Sequence, residues 1–277
     1  MIDQGKEMRM QQDITKIENG TEKIEKKEYL GNRNLYHIYL PESILMLEDW
    51  CFAHCKNLQT VWMPRKVVLT GRDVFLGCNK LSNVYIYDKE YIYEEFSENL
   101  AFGIKNFLKG DRFDFSVFGT TEWFCQYDEQ LAKYINEPDE ANFEPFLAGG
   151  EEDYEDPSNN IESFCRQKRT NKIKGIFFRL RVENKDRVTG KIDSDRKKDW
   201  VSYIKRNEKE TLEFMKERKE EAVIYFKIMK EERILTAGNI SYFIDGMAGP
   251  AFTESKAYLL KEQENLSVED VWKQFQI

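Results

Sequence analysis

The sequence predicts an α+β chain: a short β-solenoid of parallel strands with a 23-residue period, followed by an all-helical, solenoid-like domain. The first observation behind this is the spacing of Leu35, Leu58 and Leu81, 23 residues apart both times. The second is that whole columns keep that register: Ile24/Leu47/Thr70, Tyr29/Phe52/Phe75, Asn32/Cys55/Cys78, Ile38/Val61/Val84 and Leu40/Met63/Ile86. A half-repeat adds Thr15 and Ile17 to the last two columns. A fixed period in the twenties marks a solenoid, in which each unit buries its apolar side only by stacking on the next. The third is that the period fails after Tyr87, and apolar residues then recur at helical spacing. The expected organisation is an N-terminal flank over 1–12, a repeat domain with its closing segment over 13–112, and a helical domain over 113–277.

Each repeat carries L-x-x-(I/V)-x-(L/M/I), an alternating pattern that makes a strand. Ile38 and Leu40, Val61 and Met63, and Val84 and Ile86 then point inward. His37, Thr60 and Asn83 point outward, as do Lys16, Tyr39, Trp62 and Tyr85. Stacking at about 4.8 Å would set Tyr39, Trp62 and Tyr85 in one aromatic stripe. Pro41 and Pro64 follow the strands and end them, because proline donates nothing to a ladder. Between strands, Leu47 to Cys55 suits a short helical turn. Arg112 to Phe118 alternates like a strand and could close the solenoid's open end, which would otherwise invite edge pairing.

The coils EDWCFAHCKNLQTVWMP and GRDVFLGCNKLSNVYI resemble the leucine-rich repeats of the BspA type, known from bacterial proteins. There A-F-x-x-C-x-x-L-x-x-(V/I)-x-(L/I)-P recurs in tandem. The resemblance implies a curved right-handed β-solenoid with one strand per repeat. It covers about a quarter of the chain and about three and a half units, near the minimum for stability. Better-known members are secreted or surface-bound. Here the N-terminus MIDQGKEMRMQQ has no apolar signal core, and Asp3 and Glu7 stand where one would lie, so a cytoplasmic location is expected.

The second half reads as helices at Thr121–Ile135, capped by Thr121, and at 161–182, 194–206, 208–230, 237–247, 253–263 and 268–276. Ser267 and Asp270 have capping-box spacing ahead of the apolar Val268, Val271, Trp272 and Phe275. Residues 137–156 hold nine acidic side chains and no Lys or Arg, whereas 166–187 hold nine basic ones against Glu183 and Asp186. The two blocks suit opposite sides of one helical interface. The phrases EWFCQYDEQLAKYINEPDEANFEPFLAGGEEDY and ILTAGNISYFIDGMAG…ESKAYLLKEQ resemble helical regions that follow such repeats in Firmicutes-like bacterial proteins. The second also resembles half of an ankyrin-type helix pair. Neither resemblance brings an activity.

Composition narrows the function. The chain is 41% hydrophobic and 14% aromatic, ample for a core despite 33% charged residues. A formal charge of −8 disfavours nucleic acid or an anionic membrane as main partner, and no apolar run approaches a membrane span. In the basic segment, Ile173, Ile176, Phe177 and Leu180 fall at helical spacing, so its aromatics read as core rather than as a nucleic-acid surface. Cys51, His54, Cys55 and Cys78 could suggest zinc, but Cys55 and Cys78 are explained by the repeat as small buried hydrophobes. No metal and no cofactor is expected.

Enzyme motifs such as G-x-S-x-G, G-x-x-x-x-G-K-(S/T) and H-E-x-x-H are absent. The leading expectation is a non-catalytic protein–protein interaction module, binding through Tyr39, Trp62 and Tyr85 with His37, Thr60 and Asn83 beside them. Large rings dominate interface energetics. The alternatives are a carbohydrate-binding surface, since ring ladders also stack on sugars, and an enzyme using the acidic 149–156 tract or His37. A further alternative packs the stripe internally against the helical half.

Overall fold

The structure is a computed structural model and describes residues 14–69, 71–89, 92–108, 113–141, 143, 160–185 and 190–275. It contains a parallel-strand β-solenoid of about three turns followed by a helical region. The chain divides into two compact units, Met1–Tyr134 with Asp186–Lys191, and Ile135–Lys185 with Ile192–Ile277.

In the first unit each coil contributes to two sheets. Strands β1 (Ile14–Lys16), β3 (His37–Tyr39), β5 (Thr60–Pro64) and β7 (Asn83–Tyr87) stack in parallel. Their register aligns Thr15, Ile38, Val61 and Val84, and likewise Lys16, Tyr39, Trp62 and Tyr85. A second parallel sheet holds β2 (Lys23–Ile24), β4 (Met46–Leu47) and β6 (Val68–Leu69), so each coil carries two strands rather than the one expected. Ile38, Leu40, Val61, Met63 and Ile86 are fully buried between the sheets, with Leu35, Leu58 and Leu81. Pro64 closes β5 from inside it, opposite Tyr87, and needs no amide there because it is the last rung.

The connecting stretch is not helical. From each coil alternate amides cross to the next: Tyr29, Gly31, Phe52 and His54 donate to the carbonyls of Cys51, Ala53, Val74 and Leu76. The amides between them fold back locally, as Cys51 N to Glu48 O and Cys55 N to Phe52 O. Half of the donors are thus spent on the neighbouring coil, which leaves too few for a helix. The path also needs two left-handed residues per coil: Lys27, Trp50 and Asp73 at φ 62°, 55° and 54°, and Gly31, His54 and Gly77 at 70°, 58° and 70°. His54 therefore occupies a backbone position that glycine fills in its neighbours.

Inside the coils, Tyr29, Phe52 and Phe75 form a ring ladder with centroids 5.3 and 5.6 Å apart. Cys55 and Cys78 are buried but not merely apolar. Each thiol donates to a carbonyl of the preceding coil, Cys55 Sγ to Tyr29 O and Cys78 Sγ to Phe52 O, both at 3.1 Å. The hydrogen bond with Cys55, then burial, drives the Cys78 thiol far above its ordinary range.

The last coil is closed on both sheets by antiparallel strands. β8 (Ile92–Tyr93) pairs with β7, and β9 (Phe113–Asp114) pairs with β6. The strand expected over 112–118 is only those two residues, followed by a 3₁₀ turn at Phe115–Val117. Helix α1 (Ser97–Asn106) packs on β7. Helix α2 (Thr121–Asn136) is capped by Thr120, whose Oγ1 accepts from Trp123 N at 3.3 Å, one residue before the cap read from sequence. Phe118 meets Trp123, Phe96 meets Phe124, and Phe107 meets Tyr127 and Tyr134 through rings 4.6 to 5.7 Å apart. This aromatic cluster packs α2 with the repeat, and the first compact unit runs to Tyr134.

In the second unit, α3 (Ile161–Lys185), α4 (Ser194–Arg206), α5 (Glu208–Arg218), α6 (Ala222–Glu231), α7 (Ile240–Gly246) and α8 (Thr253–Phe275) follow. Phe177 stacks on Phe214 at 5.2 Å, and Ile173, Ile176 and Leu180 are buried, so this face of the basic segment is core. The single helix expected over 208–230 breaks at Lys219, which takes φ 51°. The two helices expected over 253–276 are one over Thr253–Phe275, so Ser267 lies inside a helix rather than at the start of one; no Gly or Pro interrupts 253–275.

The charge blocks do meet where they are described. Lys172 Nζ, 2% exposed, donates to Glu137 O at 2.5 Å and Asp139 Oδ1 at 2.7 Å. Lys168 Nζ donates to the Pro138 and Ala141 carbonyls, and Arg169 bridges Asp139 and Glu210. The 149–156 tract lies outside the described residues.

Candidate functional site

The register sets Tyr39, Trp62 and Tyr85 in one row on the outer face of the first sheet, but their rings do not stack as one continuous ladder. Trp62 stacks on Tyr85 at 5.5 Å and 19°. Tyr39 instead stacks on Tyr87 at 5.2 Å and 21°, two strands away. The register explains this. Pro64 lies opposite Tyr87 on β5, and its flat ring lets the Tyr87 ring lean across to Tyr39. The Tyr87 hydroxyl then donates to Leu40 O at 2.5 Å. Burial first, then the Tyr39 hydroxyl, pushes the Tyr87 phenol well above its usual range.

Trp62 thus keeps one face against Tyr85 and turns the other toward β3. There its ring neighbour is His37, tilted 52° at 6.4 Å. Tyr39, Trp62 and His37 are half-buried. Thr60 lies between His37 and Asn83 in the register and is 5% exposed, so its side chain offers a partner almost nothing. Asn83 and Tyr85 are half-buried but already engaged by the chain. Asn83 Nδ2 donates to Ser97 Oγ at 3.1 Å. The Tyr85 phenol is raised mainly by burial, with its bond to Ser97 acting against that and the charges of Glu94 and Glu98 adding to it. The start of α1 therefore takes up the β7 edge of the face, and Tyr39, Trp62 and His37 remain as its accessible part.

Sequence reasoning missed Tyr87 as a member of this face. Its signal was present, since it stands two positions beyond Tyr85 on the same side of a strand. The 23-residue period ends at Tyr87, which hides it.

Residues 9–107 match the family model described as BspA type Leucine rich repeat region, in six copies. This part of the chain is a BspA-type leucine-rich-repeat region. No curated protein and no solved structure matches the chain. Leucine-rich repeats, like other solenoids, present extended binding surfaces built from successive coils. The BspA-type coils here place their outward rings on the first sheet and their polar Asn57 and Lys80 on the turns, where Lys80 Nζ donates to Asn57 Oδ1 at 2.9 Å.

Chemistry at the remaining candidates is sparse. Among the described residues, no three His, Cys, Asp or Glu side chains are grouped to hold a metal ion, and no helix is long and apolar enough to cross a membrane. His54, from the Cys51/His54/Cys55/Cys78 set, is exposed, whereas the three thiols are buried. Burial drives the Cys51 thiol well above its ordinary range, which suits packing and not nucleophilic attack.

Proposed function

We propose that the protein is a non-catalytic recognition module whose repeat region binds a protein through the outer face of its first sheet, centred on Trp62 with Tyr39 and His37. The observation that carries this is the half-buried indole with one face held by Tyr85 and the other turned toward His37. A ring pre-positioned by its neighbour loses little entropy on binding, and Trp, Tyr and His edges together give area and hydrogen bonds. Tyr85, Asn83 and Thr60 act from beneath, fixing the rings.

The carbohydrate reading is less favoured, because a sugar-stacking ladder offers a run of open ring faces, whereas here Tyr39 stacks on Tyr87 and Trp62 gives one of its faces to Tyr85. The test is a photo-crosslinking residue placed at position 37, on the face, and separately at the exposed Leu76, on a turn. Adducts with the same protein from position 37 and not from 76 support the reading. Adducts from 76 alone, or from neither, contradict it.

A further inference from the structure

The turn between β1 and β2 holds the one Asn-Gly pair in the sequence, Asn19–Gly20. Thr21 N donates to Glu18 O at 3.2 Å and Gly20 takes φ 97°, which makes a β-turn with glycine at the position that demands a positive φ. Asn19 and Gly20 are both exposed, and a Cβ built on Gly20 would meet nothing within 4 Å. The Asn19 carboxamide is therefore followed in the chain by an amide nitrogen that no side chain of its own shields, at an open loop tip.

One contact acts against reaction between the two. Gly20 N donates to Ser43 Oγ at 3.0 Å, on the segment that follows β3 in the next coil. That N–H carries the proton that must leave before the nitrogen can attack. While the hydroxyl accepts it, the proton is protected and the nitrogen stays in the closed turn, as a backbone amide is protected from exchange until local opening frees it.

We propose that Asn19 is a self-modification site, converted to aspartate and isoaspartate at a rate that Ser43 restrains. The Gly20 nitrogen attacks Asn19 Cγ and gives up its proton as the N–Cγ bond forms. The Cγ–Nδ2 bond breaks, and Nδ2 takes up that proton and leaves as ammonia. Water then opens the resulting cyclic imide at one of its two carbonyls. Opening at the side-chain carbonyl gives aspartate; opening at the main-chain carbonyl gives isoaspartate, whose backbone runs through the side-chain carbons. Electrons and atoms balance with water as the sole co-reactant. Either product sets a new carboxylate beside Glu18, and the longer backbone of isoaspartate no longer fits the turn that Ser43 ties to the next coil.

The test incubates the full chain at mildly alkaline pH and follows each asparagine by peptide mapping and mass spectrometry, with isoaspartyl-specific methylation to measure isoaspartate. Asn19 should convert at least about tenfold faster than Asn34 and Asn79, also exposed, because Leu35 and Lys80 there place a Cβ beside the attacking nitrogen. Ser43→Ala should speed Asn19 by at least about threefold and leave Asn34 unchanged, since only the Gly20 amide is released. In urea the tie is lost, so wild type and Ser43→Ala should convert at one rate. Circular dichroism confirms that Ser43→Ala is folded; should it not fold, the wild-type Asn19 rate in urea, at least about threefold above that in buffer, decides. Conversion of Asn19 no faster than that of Asn34 overturns the site. An Asn19 rate that is unchanged or slower in folded Ser43→Ala overturns the restraint.

Discussion

Asp139→Asn tests how the second unit is tied together. The Asp139 carboxylate accepts from Lys172 at 2.7 Å and from Arg169 at 3.1 Å, with side chains 2% and 28% exposed. Removing its charge leaves the Lys172 ammonium buried with the Glu137 carbonyl as its remaining close partner. Breaking a buried pair typically costs about 3–5 kcal/mol, and because Asp139 is itself 23% exposed the lower figure of about 2–3 kcal/mol is expected. Burial alone would raise the Asp139 carboxyl; the hydrogen bonds and charges of Lys172 and Arg169 outweigh it and hold the carboxyl below its ordinary value. A depressed carboxyl gives stability that is present above its unfolded pKa of about 3.9 and is lost as the pH falls through the folded value. The gap between wild type and Asp139→Asn should therefore be full at neutral pH and shrink below about pH 4. Urea unfolding followed by helical circular dichroism measures it. A double-mutant cycle with Lys172→Met should return a coupling of about 1–3 kcal/mol. A loss under about 0.5 kcal/mol at neutral pH, or one that persists unchanged in acid, would refute the ion-pair account.

Two further outcomes follow from the coils. Gly31 and Gly77 share φ 70°, but a Cβ at Gly31 meets nothing within 4 Å, whereas one at Gly77 comes 2.6 Å from His54 Nδ1. Gly31→Ala should thus cost only the left-handed penalty of about 1–2 kcal/mol, and Gly77→Ala measurably more, unless His54→Gly is added. Equal losses in thermal denaturation would contradict the stacking of coil on coil. Of the five thiols, Cys125 alone is exposed; burial raises Cys51 and Cys165, and the hydrogen bond with Cys55, then burial, raises Cys78. A thiol-reactive dye should therefore label one cysteine quickly in the folded chain and the rest only in denaturant; rapid labelling of Cys55 or Cys78 would count against the buried ladder.

The repeat was legible because stacked coils force the same residue type into the same place every 23 positions. Leu35, Leu58 and Leu81 therefore announce both the sheet and its register. What the pattern did not disclose depends on choices between coils. Whether residues 48–55 curl into a helix or reach sideways is settled by where alternate amides find acceptors, and Trp50 and His54 in left-handed conformations carry no glycine to signal it. The pairing of Tyr39 with Tyr87 arises from Pro64 lying between them, a cross-strand relation that no single repeat contains. Lys219 breaks the 208–230 helix without Gly or Pro; nearby, Arg218 lies over the Phe178 and Tyr225 rings and bonds Glu221. Of the six face residues, sequence placed all on one side of the strands, but Thr60 is buried between His37 and Asn83, and the capture of Asn83 by Ser97 depends on how α1 returns to the sheet.

The most direct measurement for the docking face is Trp62→Ala, read for both capture and stability. The indole is half-buried and stacked on one side only, so its loss should lower stability by no more than about 1–2 kcal/mol, a small shift in melting temperature. Capture of the protein that crosslinks at position 37 should be abolished. A Trp62→Ala chain that melts far earlier yet retains that protein at wild-type level would show the ring to be internal packing and the surface to lie elsewhere.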